Sequence, residues 1–205
     1  MKNRYEINLI QSIKQLKECP TFEINHFLWR NVYRPKAFGQ MAMLENYGFV
    51  VSMSAMEKDP LRRYTQDEDP VYMDSGLEAF LNFNPKAGKD YFNFEMNANG
   101  AILSGFGPGR NRKRVVDITE YRPICTAEIY EESWSVLLKI PMELIQDVYG
   151  IGPLGLGDII TCNFFKISED PQYEHYVSYA PIVSDNPNFH LPEFFGEGII
   201  VDGLS

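Results

Sequence analysis

Apolar residues recur with a period of two along this chain, and that period narrows the fold more than any other feature. In GFVVSMSAM, Phe49, Val51, Met53 and Ala55 alternate with Val50, Ser52 and Ser54; in GLEAFLNF, Leu77, Ala79, Leu81 and Phe83 oppose Glu78, Phe80 and Asn82. YFNFEMN repeats the pattern with Phe92, Phe94 and Met96, and SWSVLLKI does so with Trp134, Val136, Leu138 and Ile140. DIITCNFFKI and HYVSYAPI complete the set. Successive side chains of a strand point to opposite faces, so each segment presents one apolar face. NPKAGKD, NANG and FGPGRNRKR supply the turn chemistry of antiparallel hairpins. Only INLIQSIKQL and PMELIQDVY read as short helices, too few for the crossovers of a parallel sheet. The expected architecture is all-β: a two-sheet antiparallel β-sandwich, jelly-roll-like, with one or two short helices. No repeat, low-complexity tract or linker divides the chain, so residues 1–205 read as one domain.

Composition removes several classes of partner. The 205 residues carry 19 basic and 28 acidic side chains, a formal charge of −9, which opposes a duplex nucleic-acid binder or a polybasic membrane anchor. Hydrophobic residues make up 44% of the chain, enough for a core without disulfide staples. Cys19, Cys125 and Cys162 are widely spaced and odd in number, which suits reduced thiols. Charged residues interrupt any apolar run near the N-terminus, so the expectation is a cytoplasmic location, with secretion as the alternative.

The strong catalytic motifs are missing: there is no GxGxxG after a strand, no GxxxxGK[ST], no HExxH and no GxSxG. FGPGR lacks the Lys-Ser/Thr end of a phosphate loop and reads as a hairpin loop, and Arg110, Arg112, Lys113 and Arg114 read as its solvated charges. His26, His175 and His190 lack metal-ligand spacing and fit hydrogen-bonded structural roles. Asp67, Glu68, Asp69 and Asp74 could offer oxygen ligands to Ca²⁺, although their spacing is not that of an EF-hand, and a solvated acidic loop is the commoner use of such a run. Glu78 and Glu95 lie on the polar faces of consecutive strands. Paired carboxylates of that kind serve either glycoside hydrolysis or simple hydrogen bonding to hydroxyls.

Neutral sugars are held by aromatic faces stacked on ring C–H groups and by planar polar side chains that take hydroxyls. Tyr72 and Glu78 meet that description, and SYAPIVSDNPNFHLPEFFG adds Tyr179, Asn186, Phe189 and His190. Any one of these aromatics could instead plug the end of the sandwich.

VYMDSGLEAFLNFNP, YFNFEMNANGAIL and HYVSYAPI with PNFHLPEFFGEGIIV, joined by FLWRN and SWSVLLKIPMELI, resemble carbohydrate-binding module family 9 and family-9-like domains over about residues 22–202. The resemblance implies a β-sandwich that binds a mono- or oligosaccharide without cleaving it, between two tryptophans. Tyr72 stands where the first tryptophan is expected, and Phe189 or His190 near the second. Glu78 matches the family's hydroxyl-binding Glu and Lys86 a binding Lys. Asn93 falls where an Arg is expected, Asn163 near a Gln and Asn186 near an Asn. The family's calcium implies Asp69 or Asp74 as ligands, with no other cofactor required. The alternatives are a glycan-active hydrolase or lyase using Glu78 and Glu95, and a haem-binding or protein-interaction sandwich.

Overall fold

The computed structural model describes residues 3–204. The chain opens with β1 (Arg4–Ile10), β2 (Phe22–Ile24), β3 (His26–Phe27), β4 (Lys36–Leu44) and β5 (Gly48–Met56). Next come β6 (Gly76–Asn82), β7 (Tyr91–Asn97), β8 (Ile102–Gly107) and β9 (Lys113–Arg114). The last part holds β10 (Ile124–Ile129), β11 (Trp134–Pro141), α1 (Met142–Tyr149), β12 (Ile159–Ser168), β13 (His175–Ser178) and β14 (Gly196–Val201). The main path of the sheet runs β10-β11-β5-β4-β1-β14-β12-β6-β7-β8-β9, and it curls until its two halves face one another.

The alternation read from the sequence decides which side chains fill the space between the halves. Phe49, Val51, Met53 and Ala55 of β5 and Trp134, Val136, Leu138 and Ile140 of β11 share one core with Leu77, Ala79 and Leu81 of β6 and Phe92, Phe94 and Met96 of β7. The FGPGRNRKR segment forms a hairpin, with Gly105 opposite Arg114.

Two local features differ from the expectation. INLIQSIKQL is not one helix. Its first residues are the end of β1, and Ile13–Glu18 form a 3-10 turn started by Ser12 and Gln15 in a reciprocal capping box. A strand with partners on both sides satisfies its backbone along two edges, which outweighs weak helical propensity. β1 is also the one place where antiparallel pairing gives way, because it runs parallel to both β4 and β14. A tight hairpin forces neighbouring strands antiparallel, but β1 is far from both partners in sequence and so escapes that constraint.

The opposite face of the β12-β6-β7 half is also closed. Every residue of β6 and β7 is buried. Phe80, Tyr91, Phe165 and Ile167 project from that outer face into a second apolar cluster with Tyr176, Ile182, Phe189 and Phe195, and Trp29 packs against its edge. The segment 180–195 therefore lies over the sheet as a cover and leaves a cleft at its margin. Among the described residues no helix is long and apolar enough to cross a membrane.

Candidate functional site

The cleft encloses about 430 Å³. Its floor is the outer face of β6 and β7, where Glu78 and Glu95 are directly opposed in the antiparallel register. Opposed residues bring their Cβ atoms to about 5 Å, and two like charges at that separation repel. Both side chains are about 96% buried, each with 4% exposure. Burial and the neighbouring Glu95 push the Glu78 carboxyl well above the usual carboxylate range. Burial raises Glu95 to about 7, and Arg112 and Asn93 limit that rise.

The two carboxyls differ in what they touch. Glu95 Oε1 accepts from Arg112 Nη2 at 3.1 Å and from Asn93 Nδ2 at 2.9 Å. Glu78 faces the cleft with no hydrogen-bond partner among the described residues. Arg112 reaches the sheet because Gly105 lies opposite Asn93 in β8: a Cβ there would stand 2.6 Å from Asn93 Oδ1 and 3.0 Å from Arg112 Cδ. Arg112 is thus a fixed wall residue with a side chain 20% exposed, which corrects the solvated-loop reading for that residue, while Arg110, Lys113 and Arg114 are exposed. Its Nη1 lies 2.8 Å from the ring nitrogens of His190, and His190 Nδ1 lies 2.7 Å from the Tyr91 hydroxyl. Burial and the adjacent Arg112 lower His190 to about 3, so its ring is neutral at physiological pH.

Aromatic side chains form the rest of the wall. Tyr72, on the turn that leads into β6, is 43% exposed. Phe189 stacks on Phe165 with centroids 4.2 Å apart, and Trp29 stands 5.7 Å from Phe189. Trp29 Nε1 donates to Ser184 O at 2.7 Å, tying the cover to the loop after β3. Trp29 has a φ of 53°, a conformation uncommon for a non-glycine residue and one that persists when surrounding contacts fix it.

The structure thus brings Tyr72, Glu78, Phe189 and His190 of the sequence-derived set to one cleft. The others lie elsewhere. Asn93 is fully buried under the floor, bonded to Glu95. Asn163 is consumed by backbone: its amide donates to Ala180 O at 3.1 Å and accepts from Ala180 N at 2.8 Å. Tyr179 packs in the sandwich core against Phe22 and Phe164. Lys86 is exposed in the loop between β6 and β7, and Asn186 is exposed on the cover, outside the cleft wall. Asn188, two residues on, does line the cleft; its Oδ1 accepts from Arg110 Nε and from His190 N. Trp29, Arg112 and Asn188 carry roles that one-dimensional spacing could not assign, because three separate segments converge on the Glu78–Glu95 pair.

Asp69 and Asp74 are both engaged by protein donors. The carboxylate of Asp74 accepts from Arg63 Nε, Tyr64 N and Asn97 Nδ2, and Asp69 accepts from Gln66 N. Among the described residues no three His, Cys, Asp or Glu side chains converge on one point.

Residues 9–200 match the profile described as carbohydrate-binding family 9. Comparison with curated protein sequences gives no match. Among solved structures, a Bacteroides uniformis protein read as carbohydrate-binding superposes with a TM-score of 0.82 at 19% identity, over 98% of this chain and 100% of the other. A family 9 module from Caldicellulosiruptor kristjanssonii superposes with a TM-score of 0.71 at 12% identity, both in complex with cellotriose, over 99% and 95% of the two chains, and in complex with glucose, over 99% and 97%. At these identities the likeness is one of fold.

Proposed function

The chain belongs to carbohydrate-binding family 9, and from that premise we propose that its cleft binds a mono- or oligosaccharide without cleaving it. Glu78 carries the reading. It is a nearly buried carboxyl, aimed into a cleft, whose hydrogen-bonding capacity no described residue uses. A polar group desolvated in this way costs stability unless a ligand satisfies it. Tyr72 supplies an exposed ring at the same cleft, the second half of the stacking-plus-polar recipe. The cellotriose and glucose held by the Caldicellulosiruptor module support neutral glucosides as the first ligands to try.

The alternative use of Glu78 and Glu95 as a hydrolytic pair is less well served, since Glu95 is already engaged by Arg112 and Asn93. Isothermal titration with a panel of mono- and disaccharides tests the binding reading. Saturable binding that drops at least about tenfold in Tyr72→Ala is expected, in keeping with the loss of a stacking surface. A folded protein that binds nothing in the panel refutes the reading. Release of reducing ends from a polysaccharide, lost in Glu78→Gln, would instead establish the hydrolase.

A further inference from the structure

The cleft floor is one positive charge short. Glu78 and Glu95 stand opposite each other, and among the described residues the one guanidinium that contacts the pair, Arg112, binds Glu95 and His190 and leaves Glu78 without a partner. The other charged groups around Glu78 do not supply that charge. Lys166, on the neighbouring β12, is held inside the sandwich by Glu57, Ser75 and His175. Arg110 is turned onto the cover, donating to Asn188 Oδ1 and Pro187 O. Glu169, just past β12, adds a further acidic group to the wall, and His190 and Tyr91 are neutral. A neutral hydroxyl supplies no charge to pair with an ionised carboxyl here. An ammonium group would neutralise it and donate charge-assisted hydrogen bonds. The aromatic wall of Tyr72, Trp29 and Tyr176 favours the same choice, because ring faces attract cations.

Building on the sugar-binding reading, we propose that the cleft selects an amino sugar, with the ligand's ammonium seated against the Glu78 carboxylate. Burial and the opposed Glu95 raise Glu78 and so favour its protonated form in the free protein. The exchange is balanced: the ammonium keeps its charge, Glu78 gives up its proton to solvent, and the cleft retains the same net charge.

Isothermal titration of the whole chain at pH 7 with glucosamine, glucose and N-acetylglucosamine, in two buffers of different ionisation heat, tests the proposal. Glucosamine is expected to bind about tenfold or more tighter than the two neutral sugars, the scale of one charge-assisted hydrogen bond, and to release up to about one proton. Glu78→Gln, which removes the carboxylate charge and keeps the shape of the side chain, is expected to erase that preference and the proton release. Neutral sugars that bind as tightly as glucosamine overturn the amino-sugar inference and leave the sugar-binding reading standing. If none of the three binds a protein with an intact thermal transition, both fall.

Discussion

At the scale of single residues, Lys166 is the clearest case of chemistry that the alternation hides. It lies between Phe165 and Ile167 in β12 and points into the sandwich, fully buried. Its ammonium donates to Ser75 Oγ at 2.6 Å and to the Ile167 carbonyl at 3.1 Å, lies 3.2 Å from Glu57 Oε2 and lies 2.9 Å from His175 Nε2. Glu57 Oε2 also accepts from Trp134 Nε1 at 2.9 Å and Ser75 Oγ at 2.7 Å. Burial pulls Lys166 down and Glu57 holds it up, while Lys166 and these hydrogen bonds keep Glu57 below its usual value despite its burial. Removing one member of such a pair leaves the other charge buried and alone. Lys166→Met is expected to lose about 3–5 kcal/mol in urea denaturation, and adding Glu57→Gln should recover much of that loss. A Lys166→Met protein as stable as the parent would show that the pair is not what holds this end of the sandwich.

At the scale of elements, the cover is held where Asn163 clasps it. Asn163 lies on the outer face of β12 and makes two hydrogen bonds to the backbone of Ala180, at the root of the segment that carries Phe189 and His190. Asn163→Ala should cost about 1–3 kcal/mol in stability, because it leaves buried backbone groups unpaired. It should also weaken ligand binding, although Asn163 does not line the cleft. Unchanged affinity in titration calorimetry would mean that the cover holds its position without this clasp. The resemblance places Asn163 near a binding Gln, but an Asn in a strand looks the same in sequence whether it meets a sugar or a loop. The strands themselves were legible because β5, β6, β7 and β11 each keep an unbroken apolar face toward one core. β1 was not, since Ile7 and Ile10 fit a helical spacing as well as a strand.

At the scale of the whole molecule, buried titratable groups oppose one another in their dependence on pH. Glu78 and Glu95 are raised, the latter to about 7, so the folded state binds protons more tightly than the unfolded chain. The stability they contribute is full below the ordinary carboxylate range and is lost as pH rises, for Glu95 through about 7. His175 and His190 are both lowered to about 3, in each case chiefly by burial, so their contribution is full above the usual histidine value and is lost as pH falls toward 3. The two pairs pull in opposite directions through mildly acidic pH. Glu78→Gln removes one raised carboxyl, so its stability relative to the parent should improve as pH rises from about 5 to about 7, by up to about 1.4 kcal/mol per pH unit. Urea denaturation of both proteins across that range measures the difference, and a difference that does not vary with pH would mean Glu78 titrates normally.

Sequence by itself determined the fold class, the core faces of the main strands and the pairing of an aromatic with Glu78, because strand periodicity and turn chemistry act over a few residues. Tertiary structure alone decided that the outer face of β6 and β7 is also buried, that Arg112 reaches Glu95 across Gly105, and that Asn188 rather than Asn186 meets the cleft. Those outcomes depend on where the cover and the β8–β9 loop come to rest, and a contact such as that of Arg112 with His190, 78 residues on, leaves no periodic trace in either segment.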